Sequence, residues 1–219
     1  MNLFLTGTDT GVGKTETAIK LLRLAQMVGL RCAGMKPISC GDRSEVERLL
    51  AASSDGLTID EINPVWLQTS ATPLSASLIE KVAIDEQRLV DALHRLEERC
   101  DFVVVDGPSG WLVPIRRDFF ACDLAAKFRL PVLVVTQNRL GCVNHTCLTV
   151  RSIIESGLAC AGVVLNETPG LADIATNTNA DILRQILAVP ILPMLSEELV
   201  ELTPEWRAAV GFFGDSPLV

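Results

Sequence analysis

At 219 residues the chain is long enough to bury one sizeable α/β core, and a single domain over residues 1–219 is expected. Its 48% hydrophobic and 21% charged residues match globular proteins and exclude the disordered and fibrous classes. Lysine plus arginine number 19 against 27 aspartate plus glutamate, a formal charge of −8 that excludes a broad nucleic-acid or anionic-membrane surface, so any phosphate must be bound locally.

No charged leader precedes the first motif, and no apolar run approaches the ~20 residues that span a bilayer, so a cytoplasmic protein is expected. The chain opens on a β-rich run, Leu3 to Thr6, followed by the loop Gly7-Thr8-Asp9-Thr10-Gly11-Val12-Gly13-Lys14-Thr15 and a helical pattern from Glu16. A glycine-rich loop between strand and helix is a phosphate cradle. Backbone N–H groups around Gly11, Val12 and Gly13 can approach phosphate oxygens, Lys14 can reach the β/γ-phosphates, and Thr15 can ligate Mg²⁺. Five residues separate Gly7 from Gly13, one more than the usual motif, so this is a lengthened P-loop.

Ala18, Leu21, Leu22 and Ala25 form a helical stripe that Gly29 terminates, and a second strand, Arg31 to Lys36, follows. From Gly41 to about Arg88, Asn63-Pro64, Thr72-Pro73 and several serines break any long period; this stretch is expected as an excursion beside the active site. Leu89, Val90, Leu93 and Leu96 resume the helical repeat. Phe102 to Asp106 is a buried strand ending in a carboxylate, at the edge where open α/β sheets bind ligands, so Asp106 should face the metal.

Strands follow at Val132 to Thr136, Cys160 to Leu165 and Val189 to Leu192. Between the first two, Gly141-Cys142-Val143-Asn144 opens a helix toward Ile154; asparagine at such a place is most often an N-cap. Apolar strands alternating with amphipathic helices indicate an α/β, doubly wound, mostly parallel sheet flanked by helices, the P-loop NTPase class. The tail after Pro204 carries no clear signal. Seven cysteines without a Cys-x-x-Cys pair read as reduced, mainly core residues, and two histidines cannot build a histidine-rich metal site.

Two further features narrow the class. Partition and division-site ATPases carry a second lysine in Lys-Gly-Gly-Val-Gly-Lys-Thr, where this chain has Asp9. No Asn-Lys-x-Asp element supplies guanine selectivity, Gln137-Asn138-Arg139-Leu140 included, so ATP is favoured over GTP.

Five ordered segments resemble the dethiobiotin synthetase family: the loop from Gly7 to Thr15, Lys36-Pro37, Asp106-Gly107-Pro108-Ser109-Gly110-Trp111, Leu140 to His145, and Asn166. The resemblance implies an ATP- and Mg²⁺-dependent ligase that joins 7,8-diaminononanoate and CO₂ through a phosphorylated carbamate into a cyclic urea. It implies Lys14 and Lys36 as catalytic cations, and Thr15, Glu45 and Asp106 as the Mg²⁺ set, with Asp42 a rival for Glu45. The family usually has aspartate in place of Glu45 and glutamate in place of Asp106. Implied nucleotide contacts run from Gly11 to Glu16, then Glu45, Asp106 to Ser109, Asn166 with Glu167, and Ser196, Glu197 and Glu198. Thr10 and Cys40 align with substrate contacts, the family usually having serine in place of Cys40. Gly141 to Asn144 would hold the substrate's far carboxylate from the partner subunit of a homodimer. The alternatives are a P-loop switch ATPase, disfavoured by Asp9 and Lys36-Pro37, and a cobyrinate-type amidation enzyme, whose glutaminase domain 219 residues cannot accommodate.

Overall fold

The computed structural model describes residues 2–167, 170, 173–195 and 202–211. In chain order its elements are β1 (Leu3–Gly7), α1 (Lys14–Met27), β2 (Cys32–Met35), β3 (Ile38–Cys40), α2 (Ser44–Ala51), α3 (Ile59–Ile62), β4 (Val65–Leu67), α4 (Pro73–Glu80), α5 (Glu86–Glu97) and β5 (Phe102–Asp106). There follow β6 (Pro114–Arg116), β7 (Phe119–Phe120), α6 (Ala121–Phe128), β8 (Val132–Gln137), α7 (Cys142–Glu155), β9 (Cys160–Asn166), α8 (Ile174–Ile186), β10 (Ile191–Pro193) and α9 (Pro204–Val210).

The six expected strands form one sheet in the order β10-β9-β8-β1-β5-β2, parallel throughout. β1 and β5 are buried at every position, because helices cover both faces and leave no polar side. From β1 the chain moves outward to β2, while β8, β9 and β10 add on the other side. Loops leaving the carboxyl ends of β1, β5 and β8 therefore diverge and open a crevice. In register, Leu5 stands opposite Asp106 and Gly7 opposite Val135, which levels the end of β5 with the exit of β1 into its loop.

The expected stripe on α1 is buried, and Gly29 takes the left-handed conformation (φ 81°) that ends it. On α5 the inward face is Leu89, Ala92, Leu93 and Leu96; Val90 is only half-buried, since the face turns toward α3 and α6. The excursion is more regular than its sequence suggests. It contains α2 packed on β2, the parallel pair β3–β4, and α4, and its Asn63-Pro64 leads into β4. Among the described residues of the uninformative tail, α9 is the one element: Thr203 caps it by accepting the Trp206 N–H, and the buried Trp206 indole donates to Pro193 O at 3.1 Å. All seven cysteines are free, but only Cys32, Cys100 and Cys142 are fully buried.

Candidate active site

The phosphate loop leaves β1 with the Thr8 N–H donating to Val135 O and the Thr8 hydroxyl to Thr136 Oγ1, so it is anchored on β8. Gly13, at φ 97°, precedes α1, and a Cβ there would lie 2.3 Å from Asn166 Nδ2. That close approach lets the Asn166 amide donate to Val12 O at 3.0 Å and brings the end of β9 against the loop. Gly107 is needed for packing: a Cβ would meet the Phe4 ring at 2.6 Å and Leu5 O at 2.8 Å.

Charged groups converge behind the loop. Asp106 is fully buried; its Oδ2 accepts from the Thr15 hydroxyl at 2.7 Å and from Lys36 Nζ at 2.9 Å. Lys36 Nζ also reaches Glu45 Oε2 at 2.5 Å, and Lys14 Nζ donates to Ser109 Oγ at 3.0 Å. Burial by itself pushes the Asp106 carboxyl up, but the Lys36 and Lys14 charges and two hydrogen bonds outweigh it and hold it below its ordinary range. Burial likewise pulls Lys36 down, and Asp106 with Glu45 reverses the sign, leaving it raised. For Lys14 burial prevails: its pKa is lowered, with Asp106 opposing and Lys36 adding to the fall.

Beside this cluster lies a cavity of about 460 Å³, within the roughly 300–1,000 Å³ of small-molecule sites. Thr10, Lys36, Cys40, Glu45, Pro108 and Ser109 line it. The excursion supplies its outer wall through Asp42, Ser44, Ala71, Thr72 and Pro73, which explains an irregular sequence at this place. Asp42 shares the cavity, but its carboxylate is engaged by the Ser44 N–H and hydroxyl, whereas Glu45 reaches the lysine bound to Asp106. Burial raises the Cys40 thiol, so it stays protonated at neutral pH.

Other expected site residues lie elsewhere. Glu16, in the first turn of α1, pairs with Arg48 of α2 at 2.5 Å. Asn166 meets the loop at Val12, which does not line the cavity, and Glu167 follows it, accepting from Asn138 Nδ2 at 2.8 Å. Gly141 to Asn144 open α7 outside the cavity; the N-cap is Gly141, at φ 91°, not Asn144, which is exposed in the first turn. A left-handed N-cap suits glycine, so no asparagine cap is needed there. Ser196, Glu197 and Glu198 lie outside the described residues.

The sequence gives no hint of Asn63. It is buried, accepts from Ser39 Oγ at 2.9 Å, and donates to Lys36 O at 2.8 Å and Val65 O at 3.1 Å. Asn63 thereby clamps the backbone that carries Lys36 and Pro37. Its sequence signal, Asn-Pro after an irregular stretch, reads only as a break.

Comparison with known proteins bears on the fold and the family. A family model described as an AAA domain matches residues 1–202. The ATP-dependent dethiobiotin synthetase BioD of Akkermansia muciniphila is 40% identical over 87% of this chain and 90% of its own length, and that of Anaeromyxobacter dehalogenans strain 2CP-1 is 43% identical over 81% and 82%. Among solved structures, the septum site-determining protein MinD complexed with Mg-ADP from Pyrococcus horikoshii OT3 superposes with a TM-score of 0.55 at 19% identity, covering 89% of this chain and 82% of that one. The signal recognition particle receptor FtsY from Elizabethkingia anophelis gives 0.55 at 14%, covering 95% and 63%. Both likenesses concern the fold. Identity at this level over nearly the full length of curated relatives, in a chain built on the P-loop sheet, places it in the ATP-dependent dethiobiotin synthetase family.

Proposed function

We propose that this chain works as one P-loop domain that closes a cyclic urea on 7,8-diaminononanoate, using CO₂ and ATP, to give dethiobiotin for biotin synthesis. The observation that carries the reading is the adjacency of Lys36, on the wall of the cavity, to the cluster of Thr15, Asp106 and Glu45 behind the phosphate loop. One amine of the substrate adds CO₂ to form a carbamate. A carbamate oxygen takes the γ-phosphoryl group, and the second amine attacks the carbonyl carbon while phosphate departs with that oxygen. Each stage gathers negative charge, so positioned cations lower its barrier. Lys14 serves the β/γ-phosphates, and Lys36 bridges carbamate and γ-phosphate. Thr10 and Cys40 contact the substrate, with the thiol a weaker donor than the family's hydroxyl.

The residues fit Mg²⁺. Asp106 Oδ1 is buried without a hydrogen-bond partner and is available as a hard ligand. Thr15, Asp106 and Glu45 would hold the ion, which would neutralise phosphate charge. Among the described residues no group of three or more histidine, cysteine, aspartate or glutamate side chains gathers to hold a metal, so this set rests on two carboxylates and the Thr15 hydroxyl. Gly11 to Glu16, Gly107 to Ser109, Asn166, Glu167 and Ser196 to Glu198 complete the nucleotide contacts in this reading.

A homodimer belongs to the same reading, with Gly141 to Asn144 of one protomer holding the far carboxylate of substrate in its partner; Gly141 leaves the start of α7 open to an anion. No described helix is long and apolar enough to cross a membrane, and the unpaired cysteines suit the reducing cytoplasm, where we place the enzyme. Incubation with ATP, Mg²⁺, bicarbonate and the diamine should yield dethiobiotin and ADP in equal amounts. ATP hydrolysis indifferent to the diamine would overturn the assignment. Sedimentation should show a dimer, and a monomer turning over normally would remove the partner's role.

A further inference from the structure

Asn138 is 1% exposed at the carboxyl end of β8, an expensive place for an amide unless its hydrogen bonds are made. They are made. Its backbone N–H donates to Asn166 O at 2.8 Å, extending the β8–β9 pairing by one step. Its side-chain Nδ2 donates to Glu167 Oε1 and to Thr176 O, both at 2.8 Å. Its Oδ1 accepts from Nδ2 of Asn179, itself only 6% exposed, at 2.8 Å. Asn179 also donates to Arg139 O at 3.2 Å. Two buried amides, one just past β8 and one on α8, thus fasten Glu167, which follows β9, to the first turn of α8. An apolar side chain at position 138 would leave Asn179 Nδ2, Thr176 O and Glu167 without this partner. The bond to the Asn166 carbonyl comes from the backbone and survives such a change, so what the Asn138 side chain alone fixes is Glu167, with Asn179 orienting that side chain.

Asn166 meets the phosphate loop at Val12, which does not line the substrate cavity, and Glu167 follows it in the chain. Asn166 touches Val12 O, while the end of β10 closes in from the other direction, with Thr17 Oγ1 on Met194 Sδ and Lys20 Nζ on Leu195 O. A nucleotide whose phosphates occupy the loop has this side left for its base.

We infer that Asn138 and Asn179 are positioning residues for recognition of the nucleotide base: they touch no ligand but hold Glu167 beside Asn166, where the base is read. The inference rests on the reading of Asn166 and Glu167 as base contacts. It concerns the base and not the phosphates, which distinguishes it from a general role in folding.

The test compares binding of MgATP with binding of magnesium tripolyphosphate, which has phosphates and no base, by titration calorimetry on the full chain. Asn138→Val and Asn179→Ala approach the network from β8 and α8 separately, so a folding defect in one leaves the other to decide. Each should weaken MgATP about tenfold, the equivalent of about 1.4 kcal/mol, and leave tripolyphosphate unchanged. Equal weakening of both ligands, or of neither, would overturn the inference. Asn166→Ala serves as the reference: if it keeps the full advantage of ATP over tripolyphosphate, the base-contact reading fails and the inference falls with it.

Discussion

At the scale of single residues the site is organised around one lysine and one carboxylate. Lys36 is held between the buried Asp106 and the half-exposed Glu45, so its pKa is raised and its charge retained, while the restraint that Pro37 puts on its backbone aims it at the cavity. Lys36→Gln should lower turnover by about two orders of magnitude or more, as loss of a transition-state donor does, with MgATP affinity largely kept. Parallel nucleotide titration and rate measurement check this; an equal loss of both would make Lys36 a nucleotide-binding residue only. Asp106→Asn and Glu45→Gln should each raise the Mg²⁺ concentration needed for half-maximal rate, because an amide is a poorer ligand for a hard cation. Asp42→Asn, whose carboxylate serves Ser44, should shift it little; the reverse pattern would show that Asp42 is the ligand. Lys14, Thr15 and Asp106 are legible in the sequence because strand-loop-helix and strand-carboxylate patterns are local. Asn63 is not, because its role consists of bonds to a backbone carbonyl 27 positions away.

At the scale of elements, the clamp from Asn63 joins the end of β2 to the excursion. Asn63→Ala would leave the Ser39 hydroxyl and two carbonyls short of partners, costing about 1–3 kcal/mol of stability. Measured well below its unfolding temperature, this variant should also turn over more slowly, since the Lys36 carbonyl loses its partner and only the Lys36 N–H stays tied, to Ile62 O; normal turnover would make the clamp purely structural. Another tie is Glu61, which accepts from the Thr58 N–H at 2.7 Å and from its hydroxyl and pairs with Arg99. The Thr58 backbone bond leads in holding this carboxyl below its ordinary 4.5. A folded-state pKa below the unfolded one stabilises above 4.5 and loses that contribution as pH falls through the lowered value. Thermal unfolding should therefore separate wild type from Glu61→Gln by a few tenths of a kcal/mol at neutral pH and less in acid. A gap that widens in acid would contradict this origin. The six main strands were legible from apolar runs and intervening helical stripes. The pair β3–β4 was not: each strand has three residues, too few to establish a period, and their pairing follows from tertiary packing.

At the scale of the whole molecule, the sheet order brings the carboxyl ends of β1 and β5 together and sets the excursion as the outer wall of one cavity. That arrangement was legible as a class of fold, but which residues of the excursion face the cavity depends on how α2 and α4 pack. The central claim is that this geometry brings ATP to a carbamate, and it has a consequence for individual atoms. If carbamate oxygen takes the γ-phosphoryl group, one oxygen of CO₂ remains in the urea carbonyl and the other leaves with phosphate. Turnover with ¹⁸O-labelled CO₂, analysed by mass spectrometry before exchange with water, should place one labelled oxygen in dethiobiotin and one in inorganic phosphate. Label in dethiobiotin with none in phosphate would contradict a phosphorylated carbamate.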